Sequence, residues 1–138
     1  MEKTLVLIKP DAFRAKHCGD IIKIYEEKGL NILAMKMLQM DEKLASKHYA
    51  EHIGRPYYED LMGFMTSGPI IAMVLEGEGA IAKVRAINGK TNPAEADEGT
   101  IRKLFATSGS RNAVHASDSP ESAAREISIF FNATEIYD

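Results

Sequence analysis

Asn112-Ala113-Val114-His115-Ala116-Ser117-Asp118-Ser119 gathers polar and titratable side chains around one histidine. A lone histidine near a strand end is more often a surface or satisfied core residue than a reactive one. Here the neighbours change that expectation. Asn112 and Ser117 bracket the imidazole, Asp118 and Ser119 tighten the turn behind it, and Ser119-Pro120 starts a helix at once. Imidazole is a competent nucleophile near neutral pH, because its unperturbed pKa lies close to 6.5. A phosphoryl group taken onto that ring would be labile enough to pass on again. Such chemistry needs cations around it, and a formal net charge of −3 means they must form a local pocket. Taken singly, Lys9, Arg85 and Arg102 would each be solvated surface cations.

Three other patterns suggest different chemistry and do not carry it. Gly77-Glu78-Gly79-Ala80-Ile81-Ala82 fits a dinucleotide fingerprint, but the acid it needs, Asp97, sits in a polar loop and not at a strand end. Gly89-Lys90-Thr91 ends like a phosphate-binding loop, yet the glycine required five residues earlier is Val84. His48-Tyr49-Ala50-Glu51-His52 matches an inverted zinc-protease pattern, with two histidines on one helix face. No third ligand stands at a sensible place, and a zinc there would leave His115 unexplained. His48 and His52 read instead as a polar site edge or a solvated face, with metal ligation as the weaker alternative.

These residues must be positioned by a modest set of elements. Lys3 to Lys9 is an apolar strand ended by Pro10, and Gly19 to Lys28 a helix stopped by Gly29. Leu30 to Met40 reads as a strand with Leu30, Ile32, Ala34 and Leu38 on one face and Leu33, Met35 and Met37 on the other. A strand apolar on both faces should be covered on both, by its own chain or by a partner subunit. Asp41 caps a helix to about His52, and Pro56 opens another that carries Tyr57, Leu61 and Met65 inward. The strand Ile70 to Glu76, the helix Ala80 to Ala86, a loop from Gly89 to Gly99 and a short helix from Thr100 to Phe105 follow. A strand over Ala113 to Ala116 leads into a last helix with Ala124, Ile127 and Phe131 buried. Split βαβ units in this order predict an α+β, ferredoxin-like sandwich: a four-stranded antiparallel sheet with helices packed on it, largely on one side.

At 138 residues, 45% apolar and 27% charged, the chain suits a single folded domain over residues 1–138. Cys18 stands alone, so neither an internal disulfide nor a CxxC site is available. No signal-peptide pattern opens the sequence, and its longest apolar run, Ile70 to Leu75, is far below the roughly 20 residues that span a bilayer. A cytoplasmic protein with no call for nucleic acid or membrane is expected.

The histidine segment, together with Ile8-Lys9-Pro10-Asp11, the pair His48-Tyr49, Arg55-Pro56-Tyr57-Tyr58 and Glu126, resembles the nucleoside diphosphate kinase family from Lys3 to Phe131. That resemblance implies ping-pong transfer of a γ-phosphate between nucleoside tri- and diphosphates, carried on the delta nitrogen of His115. It implies that Lys9 reaches the ribose hydroxyls and the moving phosphate, and that Tyr49 assists beside the histidine with His52 near the phosphates. Arg85, Thr91 and Arg102 would bind phosphates, and Asn112 the sugar hydroxyl. Glu126 would orient the unreactive ring nitrogen, with Ser117 beside it. Relatives assemble from dimers into tetramers or hexamers, so a homo-oligomer is implied too.

Phosphoryl transfer leaves a protein little to do beyond positioning and charge stabilisation, so such a cluster is what the chemistry requires. Guanidinium forks suit phosphate. Mg²⁺ bridging the β and γ oxygens, held mainly by phosphate and water, would supply the remaining charge without an Asp-rich site. Three residues depart from the family pattern. Tyr57 stands in for the usual base-stacking phenylalanine, with its hydroxyl expected at the solvent edge. Ala116 replaces a glycine, and Gly109 an apolar residue over the base, which would loosen base contacts. A non-catalytic nucleotide-binding module on the same scaffold is the rival reading. It would keep the cations but have no use for His115, Tyr49 and Glu126 together.

Overall fold

The computed structural model describes residues Met1–Asp138. Strands β1 (Glu2–Ile8), β2 (Asn31–Gln39), β3 (Pro69–Gly77) and β4 (Val114–Ala116) form one antiparallel sheet in the order β2-β3-β1-β4. Seven helices connect and cover them: α1 (Pro10–Arg14), α2 (Cys18–Glu27), α3 (Glu42–His48), α4 (Tyr58–Met65), α5 (Ala80–Asn88), α6 (Ile101–Phe105) and α7 (Pro120–Phe130). This is the expected ferredoxin-like sheet. The expectation of helices largely on one side is corrected, because both faces are covered.

The reason lies in β1, whose residues Thr4 to Ile8 are all fully buried. Leu5 and Leu7 pack with Ala72 and Val74 under α3, α4 and α7, through Ala45, Met62, Met65 and Phe130. Val6 and Ile8 pack with Met73 and Leu75 under α2 and α5, through Ile21, Tyr25, Ala80 and Val84. A continuous apolar run is what a strand buried on both faces requires.

The double apolarity of β2 has a second cause that spacing could not reveal. The register with β3 slips between Ile32 and Ala34, leaving Leu33 as a bulged residue. Parity therefore switches: Met35 and Met37 lie opposite Met73 and Ile71, on the face shared by Leu30 and Ile32. Ala34 and Leu38 lie on the other face, opposite Val74 and Ile70.

Two helices also differ from expectation. Helix α4 begins at Tyr58, so Tyr57 sits at its N-cap with 49% of its surface exposed, instead of pointing inward. Helix α7 buries Ala123, Glu126 and Phe130, while Ala124 is exposed. Of the residues expected to face inward, Phe131 is buried and Ile127 packs partly buried against the same core, so only Ala124 is misplaced, and the buried face also takes in a carboxylate, Glu126. The Gly77–Gly79 turn follows a strand antiparallel to both neighbours, so no dinucleotide-type parallel unit exists.

Candidate active site

The pairing of β4 with β1 sets the site. Leu7 lies opposite His115 and Ile8 opposite Val114, and the ladder continues with Lys9 N–H donating to Ala113 O at 2.8 Å. The end of β1 therefore brings Lys9 beside Asn112, whose Oδ1 accepts from Lys9 Nζ at 2.9 Å. Both side chains line an open cleft of about 330 Å³ with His48, Tyr49, His52, Arg85, Thr91, Arg102, His115 and Glu126. The structure thus collects ten of the eleven residues singled out from sequence around one cavity or its wall. Tyr57, the other nucleotide-contacting candidate, lines an adjoining apolar recess of about 370 Å³ that shares Lys9, Tyr49, His52, Thr91 and Asn112 with the cleft. Ser117 lies behind the wall, fully buried.

His115 is oriented by α7. Its Nε2 lies 2.8 Å from Glu126 Oε1, and the Ser117 hydroxyl donates to the same oxygen at 2.8 Å. A carboxylate only accepts, so Nε2 is the donor and, in the neutral ring, Nδ1 keeps its lone pair. Glu126 is held where it is by the well-capped start of α7. The Ser119 hydroxyl accepts from Ser122 N–H at 3.1 Å, and Pro120 occupies the first turn. A hydrogen bond from Ser122 holds the neighbouring Asp118 carboxyl below the usual range.

The cations fall into two kinds. Arg85 is exposed on α5 and makes no hydrogen bond or ion pair within the chain, so its whole guanidinium is free for an anion. Arg102 spends three of its nitrogens on main-chain carbonyls: Nε on Asn112 O at 3.3 Å, Nη1 on Gly89 O and Nη2 on Val114 O, both at 2.8 Å. It first ties the Gly89 end of α5 to the turn that leads into β4, and two of its five N–H groups remain for a ligand. Lys9 is buried, and loss of hydration, reinforced by the charge of Arg102, pulls its amine down to about 8.

His48 proves to be the polar site-edge alternative, lining the cleft. It is buried, not a solvated face, and its ring stands edge-on to His115 with centroids 4.6 Å apart. Neither of its nitrogens has a partner, and burial followed by the proximity of His115 pushes its pKa down to about 2. It is a neutral imidazole packed between His115, Tyr49 and Phe130. Tyr49 is likewise buried, and its hydroxyl has no partner within the protein; burial raises its pKa well above the ordinary phenol value. His52 lines the cleft, and its Nδ1 meets the Tyr57 hydroxyl at 2.5 Å. That contact is itself exposed, in keeping with a hydroxyl at the solvent edge, and it makes Tyr57 a pinned ring. Arg111 stacks over Phe64 at 4.1 Å, and both line the same recess, a contact the sequence did not suggest. The space beside Gly109 is open, and its carbonyl accepts from Asn112 Nδ2 at 2.8 Å. Ala116 is accommodated in the core opposite Val6. No helix is long and apolar enough to cross a membrane.

Comparison with known proteins follows the same lines. The family described as "Nucleoside diphosphate kinase" matches residues 2–136. The chain is 57% identical over 136 residues to the nucleoside diphosphate kinase of Listeria monocytogenes serotype 4b (strain CLIP80459), covering 99% of this chain and 92% of that one. It is 55% identical over 137 residues to the one from Methanocaldococcus jannaschii, covering 99% and 98%. The solved nucleoside diphosphate kinase of Aquifex aeolicus superposes with a TM-score of 0.96 at 43% identity, over 98% of each chain. The Halobacterium salinarum enzyme in complex with CDP also gives 0.96, at 40% identity over 99% of this chain and 91% of that one.

Proposed function

Since the chain belongs to the nucleoside diphosphate kinase family and moves the γ-phosphate of a nucleoside triphosphate to a diphosphate through a phosphohistidine, we propose the division of labour among its residues. His115 Nδ1 attacks the γ-phosphorus in line. The N–P bond forms as the bond to the β,γ-bridging oxygen breaks, and that oxygen leaves with the electron pair on the diphosphate. In the second half-reaction an incoming diphosphate oxygen takes the phosphoryl group back from Nδ1. The single observation that carries this reading is the Nε2–Glu126 bond, which makes Nε2 the donor and leaves Nδ1 as the nitrogen free to attack.

The other roles follow from what each group has free. Arg85 and the unspent N–H groups of Arg102 hold the phosphates, with Thr91 at the exposed rim. Lys9 neutralises the charge that builds on the transferring group, and the unpartnered Tyr49 hydroxyl donates to it. Asn112 and Lys9 take the sugar hydroxyls, His52 braces Tyr57, and Tyr57 stacks on the base. One cleft serves both nucleotides, so recognition rests on ribose and phosphate.

Mg²⁺ fits this donor set as an ion brought by the nucleotide. The only acidic residues of the lining are Glu51, Asp118 and Glu126, and Glu126 is already spent on His115 and Ser117. Carried by the nucleotide's phosphates, with Glu51 and Asp118 the only uncommitted carboxylates of the lining, it would neutralise charge on the leaving diphosphate. We further read the protein as a homo-oligomer, from the partly bare apolar face of β2, and as cytoplasmic.

Incubation with γ-labelled ATP tests the assignment. The expected product is one acid-labile, base-stable phosphate per chain, absent from His115→Ala. Equal labelling of that variant would refute it.

A further inference from the structure

Ala113, two residues before His115, has a φ of +73°, a region a non-glycine residue rarely occupies. Val114 N–H donates back to Asn112 O at 2.9 Å across it, closing a three-residue γ-turn of the rare, strained hand. This turn is where β4 breaks away from β1, and it swings Asn112 towards Lys9 while leaving His115 on the strand. Strain of that kind persists only where the surroundings hold it.

The holding groups are all visible. The Ala113 carbonyl accepts from Lys9 N–H at 2.8 Å, and the Asn112 and Val114 carbonyls are held by Arg102. The remaining group, Ala113 N–H, donates to Asp11 Oδ2 at 3.0 Å. Asp11 sits in the first turn of α1, fixed by Pro10, so its carboxylate is presented from a short rigid element. Its other oxygen is buried without a partner, a cost with no evident structural return apart from this contact. The segment Lys9-Pro10-Asp11 thus grips the segment before His115 at two points from one side.

We propose that Asp11 is a positioning residue for the transfer: by accepting from Ala113 N–H it holds the strained turn that sets Asn112 and His115 relative to Lys9. The proposal rests on His115 as the phosphate carrier. Losing the grip lets residue 113 relax to negative φ, which shifts the start of β4 and with it the attacking nitrogen. Displacements of about 1 Å at such a centre cost up to about 100-fold in rate.

Single-turnover phosphorylation of the protein by γ-labelled ATP reads this directly, in wild type, Asp11→Ala, Asp11→Asn and the double variant Asp11→Ala/Ala113→Gly. Asp11→Ala should phosphorylate about 10- to 100-fold more slowly, with nucleotide KM changed far less than kcat. Asn keeps an acceptor oxygen but no charge, so it should recover most of the lost rate. Glycine adopts positive φ without strain, so the double variant should be faster than Asp11→Ala. A wild-type rate in Asp11→Ala overturns the proposal. So does an Asp11→Asn as slow as Asp11→Ala, which would mean that Asp11 acts only as a charge beside Lys9. A double variant slower than Asp11→Ala overturns it as well. If the alanine variants do not fold, amide exchange in the native protein decides: Ala113 N–H must be among the slowly exchanging amides, and free exchange sinks the clamp. Failure of wild type to label at His115 would instead refute the carrier assignment itself.

Discussion

Lys9 combines a functional demand for positive charge with a buried position, and the conflict is measurable. Burial holds its pKa near 8, against an ordinary 10.5. Below about pH 8 the amine is charged both folded and unfolded, and the full cost of burying it is felt. Between about 8 and 10.5 the unfolded chain keeps a proton the folded chain has released, so stability should rise with pH across that window. Nucleotide affinity should move the other way, weakening above pH 8 as the cation is lost. Bound phosphate raises the amine's pKa, so binding near pH 8 should take up protons, seen as a calorimetric heat that depends on the buffer's ionisation enthalpy. Lys9→Met should abolish that uptake, and buffer-independent heats in wild type would exclude the mechanism. Glu126 makes a second residue-scale case. Glu126→Ala removes the acceptor of both His115 and Ser117 and should lower kcat by up to about 100-fold with little change in KM. A loss confined to KM in steady-state assays would argue against an orienting role.

At the scale of elements, the site is built from ends: the ends of β1 and α5, the starts of α1 and α7, and the turn before β4. Gly89 shows how tightly these are joined. It ends α5 at φ +83°, its carbonyl takes Arg102 Nη1, and a Cβ there would lie 2.6 Å from the Thr100 hydroxyl oxygen that caps α6. Gly89→Ala therefore faces backbone strain and overlap together, each about 1–3 kcal/mol. A lowered thermal midpoint and weakened nucleotide binding should appear together; an unchanged midpoint would show that the loop yields freely. Capping residues and chain-reversing glycines made such ends readable in advance: Asp41 and Ser119 do accept from the first-turn amides expected of helix starts, and Thr100, read only as the beginning of a short helix, caps α6 in the same way. What spacing alone could not give was direction, which for Glu126 came only from the family resemblance. Glu126 faces inward on α7 because His115 and Ser117 await it there, contacts formed by residues 9 and 11 positions away. His48 is buried because Phe130, 82 positions along the chain, closes over it. Spacing within a helix reports an apolar stripe, and a charged or titratable residue inside that stripe looks like an interruption.

On the scale of the whole molecule, the sheet order accounts for the catalytic architecture and leaves one surface unfinished. Central β1 carries Lys9 to the edge strand β4, which is only three residues long and carries His115, so the chemistry sits at one border of the sheet. The opposite border is β2, where the Leu33 bulge turns Met35 and Met37 onto the face of Leu30 and Ile32, and leaves them 52% and 66% exposed. The C-terminal segment covers only part of that border, through Tyr137 N–H donating to Leu33 O at 2.9 Å. Two adjacent exposed methionines beside an edge strand are an association surface, each worth roughly 1–2 kcal/mol if its remaining area were buried. The native protein should therefore sediment as a multiple of the 15.2 kDa chain at micromolar concentration. Met35→Asp/Met37→Asp should move it towards the single-chain mass, because each association would bury uncompensated carboxylates. The catalytic border lies on the far side of the sheet, so His115 phosphorylation in the dissociated variant should persist. If the wild type sediments as one chain, the exposed face of β2 has some other occupant and the assembly reading is lost.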